Sequence, residues 1–386
     1  MNSKERLLAA FDRKKTDYLP VTSHHLMPYF LKKYMNNMSR VEFFNLTGMD
    51  PIHWDIPVMP DPARKEYFAP NQGELDFLQI YKIFSDDWRI ETEKINHSDF
   101  DTRRDTIITP KGNLTAIIQG NEYTEWVAEY PLKNRQDIEL LGEFQPYPIC
   151  DVDSVNRQVQ EIGDWGIMRG FIIPNDLYGQ PGCWQDFCCM RGTEQAIMDT
   201  YDDPEWVHEA LKIIQARKLH YAKSLKGSKY DITELGGGDA STTIISPKIF
   251  EEFVAPYDEP IIRAAQDIGG IRVSYHTCGG MMPILEMIAD MRPVAMETFT
   301  PPELGGDTNL AEAKRRIGGR VCMIGGFDQG NYFINCSPEE TRRKVRECFE
   351  AAGEGGGYII APSDHFFDAD PELILAFVDE AQKCTY

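Results

Sequence analysis

The sequence predicts an α/β protein folded as a single (β/α)8 barrel over residues 1–386, with an elaborated N-terminal region to about residue 150. Three observations carry this. From residue 166 onward, short apolar strands alternate with long amphipathic helices. Glycines follow several of these strands, as crossover connections require. No strand is followed by a G-x-G-x-x-G or Walker phosphate loop, which counts against an open doubly wound sheet.

Taken in order, residues 3–13 (SKERLLAAFDR) read as an amphipathic helix and residues 19–23 (LPVTS) as an early strand of the same sheet. The stretch to residue 150 is irregular and aromatic-rich. It contains the proline-punctuated DIPVMPDPARKEYFAP and a hairpin in TIITPKGNLTAII, for which Lys111 and Gly112 supply the turn. Trp54, Trp88 and Trp126 lie here, suited to core packing or to shaping an aromatic surface. Strands are expected at 166–173, 231–238, 271–278, 293–299, 320–327 and 357–363. Helices start at Pro204, at Ser246 with Pro247, at the capping box Ser337-Pro338-Glu339-Glu340, and at Asp370 with Pro371.

The chain is 42% hydrophobic and 26% charged, a soluble globular composition able to bury a full core. Its formal net charge of -21 repels nucleic acid and anionic membranes. No stretch has the roughly 18 apolar residues of a membrane span, and the N-terminus lacks the apolar core of a signal peptide, so a cytoplasmic protein is expected. The 9 cysteines lack the short, regular spacings of a disulfide framework, and most are expected to be reduced and buried. An isologous homodimer is the default assembly.

In barrels of this kind the working residues stand just beyond the C-terminal strand ends. That rule selects His24, His25, Asp176, Tyr178, Glu234, Asp239, His276, Cys278, Glu297, Asp328, Asp364 and His365. In SYHTCGGM, a strand extended through residue 278 points His276 and Cys278 to one face, where both can ligate one ion. Zinc suits the mixed nitrogen and sulfur donors and needs a third protein ligand. Asp364 is the leading choice, with His365, Glu234 and Glu297 as competitors, while Cys322 reads as core. The competing structural reading packs Cys278 as a small apolar residue, hydrogen-bonds His276 and makes Asp364 a loop-stabilising carboxylate.

Four stretches together, SKERLLAAFDRKKTDYLPV, GGGDASTTIISPKIFEEFVAPYDEPIIRAAQDIG, YHTCGGMMPILEMI and GGYIIAPSDHFFDADPELILAFVDEA, resemble the uroporphyrinogen decarboxylase superfamily. The resemblance implies a (β/α)8 barrel and offers two chemistries. Decarboxylase members carry an arginine-bearing RQAGR-like segment after the first strand, whereas this chain has TSHHLMPYF and no arginine at 21–36. The cobalamin-dependent methyltransferase branch carries H-x-C where this chain has His276 and Cys278. Its methylcobamide:coenzyme M members place a second cysteine in an APGC-like motif on the last strand, where this chain has Ala361, Pro362, Ser363 and Asp364.

That departure is similar to the substrate-side methyltransferases of O-demethylase systems. It implies zinc on His276, Cys278 and Asp364, acting on the oxygen of a small methylated substrate such as a methoxyaromatic. Glu234 or Asp239 then positions substrate or supplies a proton, and His24, His25 and Tyr178 line the pocket. Cobalamin is expected on a separate corrinoid protein, because no D-x-H-x-x-G signature occurs in the sequence. The alternatives are a metal-free decarboxylase of the uroporphyrinogen type and a noncatalytic small-molecule-binding barrel.

Overall fold

The computed structural model describes residues 1–70 and 81–386. Seven parallel strands run side by side in the order Ile52–Trp54, Ile167–Phe171, Ile232–Gly236, Arg272–His276, Ala295–Thr298, Cys322–Phe327 and Tyr358–Pro362. The 19–22 segment joins the two outer members. Thr22 N donates to Ile360 O at 3.1 Å and Ile360 N to Pro20 O at 2.9 Å, while Asp50 N reaches Val21 O at 2.7 Å on the other side. With that eighth segment the curled sheet closes on itself, as a (β/α)8 barrel requires.

Six of the expected strands are present with one or two residues trimmed from their ends, and 19–23 contributes its pairing at Val21. The strand Ile52–Trp54 was not anticipated: it is three residues long and lies between Pro51 and Pro57, too short to show a period. The hairpin also differs by one position. Thr109 pairs with Gly112, so Pro110 and Lys111 form the turn. The strands of that hairpin, Asp101–Thr109 and Gly112–Gly120, are flanked by Arg89–Ile95 and Glu125–Glu129 in a four-stranded antiparallel sheet. The stretch that reads as irregular therefore contains an ordered sheet, hidden by polar strands such as RIETEKI.

The helices begin where the sequence places them. Ser337 accepts from Glu340 N and Glu340 returns to Ser337 N, completing the capping box, and helices open at Pro204, Pro247 and Pro371. The first helix is Ser3–Phe11, shorter than expected, because Arg13 turns left-handed at φ 57°.

Inward-facing residues form layers. The floor is apolar: Ile52, Ile167, Ile232, Ala295, Cys322, Ile324 and Ile359 pack with Leu7, Ala10 and Phe11 of the first helix, which seals the N-terminal end of the barrel. Arg6 fastens that seal, with Nη1 2.6 Å from Asp50 and Nε 2.7 Å from Asp17. Further along four of the strands the interior changes character, at Arg169, Glu234, Ser274 and Glu297, while Ile324 and Ala361 keep the last two strands apolar. Among the described residues no helix is long and apolar enough to cross a membrane.

Candidate metal centre at the barrel mouth

The charged layer is dry. Arg169 is 1% exposed, Glu234 3% and Glu297 2%. The Arg169 guanidinium donates through Nη2 to Glu234 Oε2 and Glu297 Oε1, and through Nη1 to Glu297 Oε2 at 3.1 Å. Ser274 Oγ adds a bond to Glu297 Oε1 at 3.1 Å, and the guanidinium carbon lies 4.3 Å over the Trp54 ring. Burial pushes the Glu234 carboxyl up to about 7, with Arg169 and His24 pulling the other way. At Glu297 burial acts in the same sense, but Arg169 and His24 overcome it and hold that carboxyl well below its usual range. One of the two carboxyls thus keeps a proton near neutrality while the other does not.

His24 and His276 lie above this layer with their rings stacked at 4.9 Å. His24 Nδ1 is 3.4 Å from Glu297 and its Nε2 3.7 Å from Glu234, while His276 Nδ1 is 3.9 Å from Glu297 and 4.0 Å from Glu234. Both Nδ1 atoms are buried without a hydrogen bond of acceptable geometry. Buried polar atoms left in this condition call for an explanation, and an ion is one. His24, Glu234, His276 and Glu297 each offer a ligand atom, all within 4.8 Å of one another.

A second group shares His276. It joins Cys278, just past the end of its strand, and Asp364, past the end of the last strand, again with ligand atoms within 4.8 Å. The sequence reading named these three residues, and the fold brings them together although the strand ends at His276 rather than at residue 278. Gly238 makes room: a Cβ there would meet Cys278 Sγ at 2.7 Å. His365 Nδ1 is 2.8 Å from Asp364 Oδ1. Burial disfavours the Asp364 charge, but the His365 bond outweighs it and holds the carboxylate well below its ordinary range. Burial and then the Asp364 charge push the Cys278 thiol well up, an arrangement that a bound dication reverses. Burial lowers His276 in spite of Glu297 and Asp364, so its imidazole is neutral and able to ligate.

The other selected residues are placed as follows. His25 stacks on Trp54 at 4.6 Å, and burial holds it well below its normal value. Tyr178 sits in the loop after Ile167–Phe171, where its backbone N and O bond to Asn175. Asp239 accepts from Gln185 Nε2 at 2.7 Å and is in neither donor group. Asp176 pairs with Arg217 at 2.7 Å, and Asp328 caps a short helix at Asn331 N, so both have structural partners. Cys322 is in the floor. Trp88 is fully buried, whereas Trp126 meets Phe100 at 5.0 Å. The reading missed Arg169. Its signal, a lone arginine inside GIMRGFII, is visible in the sequence but resembles an ordinary outward-facing residue.

Comparison with known proteins adds three findings. The family model described as Uroporphyrinogen decarboxylase (URO-D) matches residues 181–384. Curated relatives include the uroporphyrinogen decarboxylase of Thioalkalivibrio sulfidiphilus (strain HL-EbGR7), 28% identical over 190 residues (47% of this chain and 50% of that protein). That of Aliivibrio salmonicida (strain LFI1238) is 24% identical over 267 residues, covering 66% and 70%. The chain spans about half the length of the first of these. Among solved structures, a methyltransferase from Methanosarcina mazei has the same fold, with a TM-score of 0.62, 14% identity and 99% of each chain covered.

Proposed function

Because the chain belongs to the uroporphyrinogen decarboxylase family, and because of what stands at its barrel mouth, we propose that it is a methyltransferase. It moves a methyl group between a small methylated compound, such as a methoxyaromatic, and the cobalt of a separate corrinoid protein. The observation that carries this reading is the convergence of His276, Cys278 and Asp364 from two strand ends on one point at the mouth. The fold shared with a protein described as a methyltransferase agrees with it.

The donor set fits zinc: a neutral imidazole, a thiol, and a carboxylate held ionised by His365. His276, Cys278 and Asp364 would hold the ion, which supplies Lewis acidity to the oxygen that parts from the methyl group. The rest of the work falls to the chain. Arg169 binds Glu234 through Oε2, leaving Oε1 facing His276 at 4.0 Å. Glu234 Oε1 is therefore the atom that holds the proton required by the departing oxygen. Asp239, tied to Gln185, supports the turn that brings Gly238 against Cys278. His25 and Tyr178 line the approach, and His24 closes the inner side.

The names of the curated relatives favour a second reading, a decarboxylase acting on a polycarboxylate. Against it, Arg169 is already bound by two glutamates and residues 21–36 contain no arginine, so neither place offers a guanidinium to substrate. One experiment separates the two. The zinc-loaded protein is mixed with reduced cobalamin, alone and on candidate corrinoid proteins, and a panel of methoxyaromatics, methylamines and methyl thiols, and cobalt(I) absorbance is followed. Methylation that disappears, together with bound zinc, in a His276→Ala, Cys278→Ala variant is expected. A folded protein that binds no metal when zinc is supplied in excess, or that decarboxylates a porphyrinogen without metal, overturns the proposal.

A further inference from the structure

The inner donors, His24, Glu234, His276 and Glu297, are spaced for a cation as closely as the outer ones, and they carry two carboxylates to the outer group's one. A set with two carboxyl groups and two imidazoles is one that divalent ions bind. Their carboxylates, however, already face a cation. Arg169 bonds to both Glu234 and Glu297, and its guanidinium carbon lies 4.3 Å from the centre of the Trp54 ring. It is attached to the strand Ile167–Phe171, two residues above the apolar floor, so it cannot diffuse away.

We propose that Arg169 is a tethered counter-cation that keeps a latent second metal site, lined by His24, Glu234, Glu297 and the inner side of His276, closed. The inference rests on the outer-triad reading. The carboxylate charge of this buried layer needs positive charge beside it. An exchangeable dication could provide it, because His24, Glu234 and Glu297 offer ligand atoms there beside His276. A guanidinium meets the same oxygens bidentately, always charged and with no vacant coordination position, and leaves the imidazole alone. A dication and the guanidinium cannot occupy the same carboxylate oxygens, because like charges so close in a water-poor layer repel strongly.

The test counts ions. Full-length parent and variants are loaded with zinc, dialysed and analysed for metal per chain, then reloaded with cobalt(II), whose thiolate charge-transfer band reports Cys278. The parent should hold about one ion per chain and Arg169→Met about two, the second without a thiolate band; Arg169→Met with Cys278→Ser should hold about one, with no such band. Glu234→Gln alone should leave the parent's metal content unchanged. A folded Arg169→Met protein with no more metal than the parent overturns the proposal, as does loss of metal from Glu234→Gln. Should Arg169→Met fold poorly, zinc in the refolding buffer should rescue it by replacing the missing charge, and failure of zinc to do so counts against the latent site. Metal in the parent that survives Cys278→Ser instead sinks the outer-triad reading.

Discussion

The two donor groups that meet at His276 differ in how their charge is balanced. In the inner group, Arg169 compensates the charge of Glu234 and Glu297 from within the fold and Ser274 adds a hydrogen bond, although His24 Nδ1, His276 Nδ1 and Arg169 Nε remain without hydrogen-bond partners. In the outer group, His365 partners Asp364, but among the described residues no cation stands beside Cys278, whose thiol form is favoured. Internal balance produces a structural element, and imbalance produces a place for something from solution. A cluster of ligand-type residues is thus read best by asking which charge it lacks rather than how many donors it has.

The largest expected effect breaks the inner group. Arg169→Ala leaves two buried carboxyls without their cation and should cost about 3–5 kcal/mol of stability, measured by denaturant unfolding. Cys278→Ser should do the opposite: an unfolding midpoint close to that of the metal-free parent, but a loss of at least ~100-fold in zinc affinity, since changes merely behind a ligand already cost 10–100-fold. Chelation should mimic it, abolishing transfer while the circular dichroism spectrum persists. A parent that unfolds on chelation would show that the outer group, too, is part of the core. His365→Gln, which removes the charge partner of Asp364 but no ligand, should weaken zinc binding by about 10-fold in a competition titration.

The smallest effect is a slope. Glu234 is raised from 4.5 to about 7, so the folded protein holds a proton that the unfolded chain releases earlier. The stability this contributes is fully present below 4.5 and is lost as pH rises through about 7. Glu297, held below its ordinary value, contributes in the opposite sense and only at lower pH. Across roughly pH 5 to 8, Glu234→Gln should flatten the decline of melting temperature relative to the metal-free parent. Superimposable curves would remove Glu234 as the proton-holding group.

Much of this architecture was legible in the sequence, and what was hidden was hidden for physical reasons. The buried parallel strands announce themselves as apolar runs, and the helix starts as proline and capping signals. Ile52–Trp54 escapes because three residues between prolines are too few to show a period, and Arg89–Ile95 because most of its side chains face solvent. The outer donors could be nominated because strand ends of a barrel converge, so His276, Cys278 and Asp364 follow from topology plus residue type. The inner group could be nominated only in part. Glu234, Glu297 and His24 lie at strand ends, but Arg169 acquires its meaning only from carboxylates 65 and 128 residues away along the chain.

The sealed floor of the barrel has a kinetic consequence. With Leu7, Ala10 and Phe11 packed across one end of the barrel, and Arg6 pinning that helix to Asp17 and Asp50, the described residues leave the opposite end, where Cys278 and Asp364 stand, as the way in. In the proposed reaction a small molecule and a protein-borne cobalt must use that doorway in turn. The small molecule has to enter before the protein docks and covers it, and the demethylated product has to wait until the protein leaves. Compulsory-order kinetics, with the carrier protein last on and first off, are what a chamber of this shape imposes.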